Sequence, residues 1–315
     1  MPLHKLDDMK SDAYTEAWVE GPQSTKFYTR VYKAKEESSK AVLVFVHGFA
    51  EHVGRYTEAH PVFAEHGISV FAFDQRGFGR TALDKANKSK SSAYGKTSGP
   101  DQMGDIKWAI QHAQKEFPGL PVFLAGHSMG GGEVLNFATR YADDAKAMLT
   151  GVIACSPLVH QTTPASKIQR WAGGMIANGV PYFTIPTPLN YDDLSHDENY
   201  NKMCKTDELS KLQGTLRGVS DMLSWGELLL TEQYKKWPKT LPVLLVHGTG
   251  DKITSSKAAE NYIEKLAADD KETILYTDGY HELVHEPAHR EKLLNDMIAF
   301  IEKHIPKPSA VEAKL

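Results

Sequence analysis

A sharp turn between an apolar segment and a helical pattern limits the fold of this chain more than any other feature. The sequence GHSMG at 126–130 follows the apolar residues 121–125 and precedes the helix-like residues 131–141. A Gly-x-Ser-x-Gly turn from strand to helix strains its serine backbone and exposes the hydroxyl above a sheet. The start of such a helix also directs N–H groups at developing negative charge. The turn predicts a nucleophilic Ser128, with an ordinary glycine-rich turn as the alternative.

Continuous apolar segments alternate with helical patterns along the chain. Such segments are typical of strands covered on both faces, and their alternation with helices predicts a mostly parallel sheet with helices on both sides. Residues 14–20 and 26–34 alternate in polarity instead and predict an opening antiparallel pair. Ligands of such sheets bind at the carboxyl ends of the strands, where Ser128 falls. The other predicted strands are 41–46, 68–73, 121–125, 151–155, 241–246 and 273–276, and the predicted helices are about 56–66, 101–116, 131–141, 255–268 and 288–304.

The segment 158–235 interrupts this alternation, because it contains four prolines and no convincing strand. We predict that it forms a cap inserted between two core segments, 1–157 and 236–306, and that 307–315 is a flexible tail. Apolar residues at helical spacing within 168–179 predict a cap helix that packs on the core, and contact with an acyl chain or a membrane is a second interpretation. The Lys- and Ser-rich segment 80–99 predicts a mobile solvated loop, with anionic lipid contact as the alternative.

Composition excludes several classes of protein. The 36 basic and 40 acidic residues give a net charge of −4 without a basic stripe, so no nucleic-acid partner is expected. The two cysteines, Cys155 and Cys204, offer no disulfide framework and fit a reducing compartment. The first residues lack the apolar core of a secretory signal, and no apolar segment is long enough to span a membrane. We therefore expect a cytoplasmic protein.

Two further residues supply what a serine nucleophile needs. A serine hydroxyl becomes reactive when a base takes its proton, and the base is oriented by an acid. Asp251 follows the predicted strand 241–246, and His281 follows 273–276, so both fall at the sheet edge of Ser128. The order Ser, Asp, His is that of elbow-type hydrolases. The alternative for Asp251 is that it caps the helix that begins near 255.

A negatively charged tetrahedral intermediate requires two N–H donors. The residue after the nucleophile, Met129, supplies one through its backbone. The second is expected from the loop after strand 41–46, and Phe49 is the candidate.

The sequence HELVH at 281–285 matches the zinc signature of metallopeptidases. That chemistry needs both histidines one turn apart on a helix, with a third ligand downstream. Gly279 before the motif and Pro287 after it place most of the motif in a loop, so no metal is expected. A metallopeptidase, which a zinc chelator would inactivate, is the alternative.

Four motifs in the chain are specific when they occur together: HGFAEHVGRY at 47–56, FDQRGFG at 73–79, GHSMGG at 126–131 and HGTGD at 247–251. With them the chain resembles the α/β-hydrolases, and more closely the monoglyceride lipases with their lysophospholipase-type relatives. The resemblance covers most of residues 20–305. It implies an α/β-hydrolase fold with a mostly parallel central sheet and an inserted helical cap. It also implies hydrolysis of monoacylglycerols to glycerol and fatty acid without a cofactor.

The resemblance also implies residues that hold the glycerol head. Glu51 and Arg55 match polar positions near the oxyanion loop, with a surface ion pair at i,i+4 as the alternative. Tyr200 resembles a cap tyrosine that meets the glycerol. Family members often have a histidine three residues past the catalytic one, but position 284 is valine here, so His285, one residue later, is the candidate for this substrate contact.

The sequence therefore predicts a serine hydrolase that cleaves monoacylglycerols through an acyl-enzyme and contacts a membrane or lipid droplet through its cap. A lysophospholipase, a broad carboxylesterase or thioesterase, and a catalytically inactive ligand-binding protein are the alternatives. We expect a cytoplasmic enzyme located peripherally on lipid surfaces. The terminal residues 313–315, AKL, resemble the SKL peroxisomal address, so both a peroxisomal location and a coincidence stay open.

Overall fold

An eight-stranded, mostly parallel sheet forms the centre of the protein, as predicted. The computed structural model describes residues 13–164, 176–177 and 179–306. The strand order is β1-β2-β4-β3-β5-β6-β9-β10, and β3 to β6, β9 and β10 run parallel. The strands in the described residues are β1 (Thr15–Glu20), β2 (Lys26–Tyr32), β3 (Ala41–Val46), β4 (Ile68–Phe73), β5 (Val122–His127), β6 (Gly151–Cys155), β7 (Thr184–Pro186), β8 (Gln213–Thr215), β9 (Val243–Gly248) and β10 (Lys271–Tyr276).

Helices cover both faces of this sheet. Every residue of β3, β4, β5, β6 and β9 is buried, which explains why these segments are mostly apolar. The predicted helices are present with shifts of a few residues at their ends. The helices in the described residues include α1 (His60–Glu65), α2 (Gly79–Leu83), α3 (Gly99–Glu116), α4 (Met129–Arg140), α5 (Ala142–Met148), α6 (Glu198–Thr206), α7 (Leu216–Thr231), α8 (Ser256–Lys265) and α9 (Arg290–His304).

Alternate residues of β3 belong to two different hydrophobic cores. Val42 and Val44 pack with apolar residues of α3, α4 and α8 on one face of the sheet. Leu43 and Phe45 pack with α1 and α9 on the other face. Successive side chains of a strand point to opposite faces, so one apolar segment contributes to both cores. Burial on both faces fixes the strand firmly and holds the loops at its carboxyl end in place.

The antiparallel opening pair is also confirmed. β1 pairs with β2, and β2 joins the sheet by pairing antiparallel with β4. None of the helices in the described part of the chain has the length and apolarity that spanning a bilayer requires.

The region between β6 and β9 differs from the sequence prediction in one respect. It contains a short antiparallel ribbon, in which β7 pairs with β8, although no strand was predicted there from the sequence. Each strand is three residues long, too short for a polarity pattern to develop. In the same region α7 packs against α3 and α4 of the core. The helix predicted over 168–179 lies almost entirely outside the described residues, and the tail 307–315 lies wholly outside them.

The prediction of a mobile solvated loop over 80–99 is wrong at both ends of the segment. At its start, residues 80–83 belong to α2. Its last third contacts the region of the β7–β8 ribbon. The Thr215 N–H donates to the Gly95 carbonyl (3.2 Å), and the Lys211 N–H donates to Tyr94 Oη (2.7 Å). Gly95 and Thr97 are buried. This part of the loop is therefore an anchor for the β7–β8 ribbon.

Candidate active site

The turn at Ser128 has the strained geometry that its sequence predicts. Ser128 lies between β5 and α4 with φ 55° and ψ −117°, in a region that L-residues rarely adopt. A Cβ on Gly126 would lie 2.3 Å from the Gly130 carbonyl oxygen, and one on Gly130 would lie 2.2 Å from that of Val46. The Ser128 N–H donates to the Cys155 carbonyl (3.0 Å). Only glycine fits beside this turn, and β3, β5 and β6 together hold it in shape.

A continuous hydrogen-bonded chain joins the three residues predicted to form a triad. His281 Nε2 lies 2.9 Å from Ser128 Oγ, and His281 Nδ1 lies 2.8 Å from Asp251 Oδ2. All three side chains are buried. These distances allow His281 to take a proton from the serine hydroxyl while Asp251 fixes the ring.

Asp251 is held as a carboxylate by its surroundings. Its Oδ1 accepts the N–H groups of Ile253 (2.7 Å) and Thr254 (2.9 Å), and its Oδ2 also lies 3.1 Å from His247 Nε2. Burial alone would raise the pKa of Asp251, but His281 and His247 hold it well below the usual range. The charged form is therefore available to stabilise an imidazolium at His281.

The alternative interpretation of Asp251 as a helix cap is wrong. The helix α8 is capped by Ser255, whose hydroxyl accepts the Ala258 N–H (3.2 Å).

The two predicted oxyanion residues both border Ser128. Met129 is the first residue of α4, and Phe49 lies in the loop after β3. Both line the same cavity as Ser128 and His281. Their role as N–H donors to an oxyanion stays a prediction.

A cavity of about 470 Å³ opens above these residues. One end is polar, and most of the remaining wall is formed by apolar side chains from the region between β6 and β9. A cavity of this volume accommodates one flexible ligand of about the size of a drug molecule. Apolar residues of the wall include Leu158, Leu212, Val219, Met222, Leu223 and Ile253.

Comparisons with known proteins agree with this geometry. A family model described as serine aminopeptidase, S33, matches residues 37–288. A putative monoglyceride lipase of Schizosaccharomyces pombe is 32% identical over 287 residues, covering 90% of this chain and 72% of the relative. The monoglyceride lipase of Saccharomyces cerevisiae is 28% identical over 277 residues, covering 83% and 84%. The chain belongs to the monoglyceride lipase family of α/β-hydrolases.

A solved structure supports the same placement. The crystal structure of a soluble variant of the Saccharomyces cerevisiae monoglyceride lipase, in complex with a substrate analog, aligns with a TM-score of 0.84 at 25% identity. The alignment covers 96% of this chain and 99% of the solved chain. The mostly parallel sheet and its order are thus those of a monoglyceride lipase.

In this member of the monoglyceride lipase family, Glu51 braces the loop that carries Phe49. The Gly48 N–H donates to Glu51 Oε2 (3.0 Å), and Tyr56 Oη also donates to that oxygen. Glu51 Oε1 lies 3.1 Å from His127 Nδ1. Glu51 lines the cavity as well, but most of its hydrogen-bonding capacity is used inside the protein.

The histidine before the nucleophile, His127, links three parts of the site. Its Nδ1 faces Glu51 Oε1, and its Nε2 lies 3.2 Å from the carbonyl oxygen of His281. Because both ring nitrogens face acceptors, the imidazole satisfies both contacts only when it is doubly protonated. Burial alone would lower its pKa, but Glu282 and Glu51 raise the pKa of His127 to about 9. No role was predicted for His127 from the sequence.

Arg55 lies at the polar end of the cavity. Its Nη2 donates to Ser210 Oγ (3.2 Å) and lies 3.6 Å from Asp207, while its Nη1 lies 3.6 Å from Glu282 Oε1. Arg55 and Glu51 are buried, so the alternative of a surface ion pair between them is wrong. Glu282 was not predicted as a site residue, since its only signal in the sequence is its position next to His281.

Tyr200 and His285 lie behind the cavity wall. Their rings stack with centroids 3.8 Å apart and an interplanar angle of 15°. Tyr200 is buried and His285 is half-buried, and neither is among the residues that line the cavity. Burial and the nearby Arg55 lower the pKa of His285 to about 3, so this ring is neutral. The predicted glycerol contact needs both side chains at the surface of the cavity, and the structure does not place them there.

The geometry of the HELVH segment does not fit the zinc motif. His281 faces Ser128, and residues Leu283–His285 form a single 3₁₀ turn, while α9 begins at Arg290. The two histidines thus do not share a face of an α-helix.

A different group, Glu51, His127 and Glu282, places one possible ligand atom each within 4.8 Å of one another. The hydrogen bonds of His127 and the positive charge of Arg55 make this group better suited to a bound proton than to a divalent ion.

Proposed function

We propose that this protein is a monoacylglycerol lipase, a serine hydrolase that cleaves monoacylglycerols to glycerol and free fatty acid. The observation that carries this proposal is the hydrogen-bonded chain Ser128–His281–Asp251 at the wall of a cavity with an apolar part and a polar end. The names of the relatives in two yeasts support the same substrate.

The chemistry follows from the geometry of the site. Ser128 Oγ attacks the ester carbonyl carbon while His281 Nε2 takes the hydroxyl proton and Asp251 stabilises the imidazolium. The N–H groups of Phe49 and Met129 stabilise the oxyanion. The ester C–O bond then breaks, and the glycerol oxygen leaves with the proton from His281. A water molecule, deprotonated by His281, attacks the acyl-enzyme and releases the fatty acid and free Ser128.

The cavity suits an ester with one acyl chain and a polar alcohol. The apolar walls exclude water from the acyl chain, which supplies most of the binding free energy. Arg55, together with Ser210, offers hydrogen-bonding groups at the opposite end. No cofactor takes part in these steps.

Contact with a membrane or lipid droplet is the second part of the proposal. Four large apolar side chains near the ribbon are at least half exposed, and Lys96 Nζ lies 4.9 Å from the ring of one of them, Tyr182. Exposed apolar side chains beside a lysine favour an anionic lipid interface. Co-flotation of the protein with anionic vesicles tests this contact, and a protein that stays at the bottom of the gradient contradicts it. The four side chains are Ile176, Val180, Tyr182 and Phe183.

Location in the cell also stays a prediction. The tripeptide at 313–315 lies outside the described residues. The location in the cell of a fluorescent fusion protein that leaves this tripeptide free tests whether it is a peroxisomal address.

A substrate panel tests the proposed activity. Ester hydrolysis is measured as oleate release from 1-monooleoylglycerol and 1-oleoyl-lysophosphatidylcholine, and as nitrophenol release from a nitrophenyl butyrate. We expect the highest kcat/KM with monooleoylglycerol. A higher value with the lysophospholipid, or turnover of the nitrophenyl ester alone, would contradict the assignment.

A further inference from the structure

The Glu282 carboxyl group is buried without hydrogen bonds to the described part of the chain, and burial together with the neighbouring Glu51 raises its pKa. It is 1% exposed, yet it lines the cavity. Among the described residues, neither of its oxygens has a hydrogen-bond partner. Its nearest cationic atoms are Arg55 Nη1 at 3.6 Å and His127 Nε2 at 4.0 Å, both beyond good hydrogen-bond distance. Because such groups are costly to bury, an unpartnered carboxylate in a cavity wall points to a ligand that donates to it.

A donor without a partner lies beside this acceptor. Arg55 Nε is buried and has no hydrogen-bond partner among the described residues, although the Nη2 of the same guanidinium donates to Ser210. Arg55 also lines the cavity. At the cavity wall, one buried donor and two buried acceptor oxygens therefore lack a hydrogen-bond partner among the described residues.

The backbone fixes Glu282 in this position. The Glu282 N–H donates to the Leu194 carbonyl (2.8 Å), and the residue directly follows His281. Glu282 therefore lines the same cavity as the nucleophile Ser128.

An alcohol hydroxyl matches these open groups because it both donates and accepts. A glycerol leaving group with free hydroxyls can donate to Glu282 and accept from Arg55. A phosphate monoester accepts hydrogen bonds and carries negative charge, so the Glu282 carboxylate repels it. A methyl ester has no hydroxyl and leaves the carboxylate unpaired.

We propose that Glu282 is a specificity-determining residue that accepts a hydrogen bond from a free hydroxyl of the alcohol leaving group and disfavours phosphate-bearing heads. This inference rests on the proposed function and deepens it. It assigns selection of neutral polyol esters over anionic lysophospholipids to one side chain.

The test compares wild type with Glu282→Gln on three oleoyl esters: 1-monooleoylglycerol, methyl oleate and 1-oleoyl-lysophosphatidic acid. Glutamine keeps the size of the side chain and removes the charge. We expect kcat/KM for monooleoylglycerol to fall about 10- to 100-fold, the scale of a lost charged hydrogen bond. The loss of kcat/KM for methyl oleate is expected to be at least about fivefold smaller, because this ester has no free hydroxyl that could bind Glu282. The relative rate on lysophosphatidic acid is expected to rise.

Glu286→Gln is the matched control. Glu286 is equally buried in the same loop, but it accepts the Tyr280 N–H (2.9 Å) and does not line the cavity. Any loss in this variant is expected to be the same for all three esters.

Equal losses on the three esters in Glu282→Gln would overturn the inference, because they would mark a structural role. A variant whose kcat/KM equals that of wild type on all three esters would overturn it as well. A wild type that does not cleave monooleoylglycerol would overturn the proposed function and this inference with it. Thermal unfolding of each variant separates a folding defect from a change in specificity.

Discussion

The two ends of the cavity are both built from buried polar side chains, but they differ in how those side chains are satisfied. At the catalytic end, Ser128, His281 and Asp251 are joined by hydrogen bonds of 2.8–2.9 Å. At the head-group end, Arg55 Nε and both oxygens of Glu282 have no hydrogen-bond partner among the described residues. Only the catalytic end is complete within the protein.

This difference reflects the task of each end. A catalytic group must already be oriented when the substrate arrives, because reorientation during the reaction raises the barrier. A binding group must be open to the ligand, and the cost of burying it unpaired is recovered when the correct ligand binds. Substitutions at the catalytic end should therefore affect all esters alike, while those at the head-group end should depend on the alcohol.

The largest effect is expected from Asp251→Asn. An amide cannot stabilise the imidazolium of His281 and disturbs its tautomer, so kcat should fall by about 10⁴-fold for every ester. Steady-state rates on monooleoylglycerol and methyl oleate measure this loss. Asp269→Asn, in an exposed ion pair with Lys239, is the control and should keep full activity. A loss confined to monooleoylglycerol would contradict the comparison.

A smaller effect is expected from Glu51→Gln, which distinguishes the two glutamates of the cavity. The Glu51 carboxylate accepts the Gly48 N–H and faces His127. The amide of the glutamine would place its NH₂ group against one of these two donors. It would also leave His127 without a negatively charged partner. We expect a loss of about 10- to 100-fold in kcat, shared by monooleoylglycerol and methyl oleate.

This pattern differs from the selective loss expected for Glu282→Gln. If Glu51→Gln lowered only the rate on monooleoylglycerol, Glu51 would be a head-group contact and not a support of the loop.

The smallest effect is expected from Tyr200→Phe. The hydroxyl of Tyr200 has no hydrogen-bond partner among the described residues, and the residue does not line the cavity. The ring, which stacks on His285, is kept in the variant. We expect kcat/KM for monooleoylglycerol to stay within about threefold of wild type, because no contact of the folded site is removed. A loss above about tenfold that spares methyl oleate would restore the predicted glycerol contact.

The sequence could predict the sheet and the catalytic edge because both depend on local patterns. Continuous apolar segments reveal strands buried on both faces, and parallel strands bring their carboxyl ends together. Ser128, Asp251 and His281 each follow such a strand, so their meeting could be inferred from order alone. The structure places all three as that order predicts.

The head-group end could not be predicted in the same way. Its side chains come from the loop after β3, from the turn after His281 and from the region around Ser210, and no periodic pattern relates these segments. The family resemblance predicted that Tyr200 and His285 contact the substrate. The position of a residue in a motif does not determine whether its ring faces the cavity or packs behind the residues that line it. The open carboxylate of Glu282 is visible only in three dimensions.

Release of glycerol from 1-monooleoylglycerol, compared between wild type and Ser128→Ala, tests the central claim most directly. We expect rapid release by the wild type and a rate at least about 10⁴-fold lower in the variant, because the alanine cannot form the acyl-enzyme. Glycerol release that survives in Ser128→Ala would show that another group is the nucleophile. A wild type that releases no glycerol but cleaves a nitrophenyl ester would contradict the assignment of the substrate.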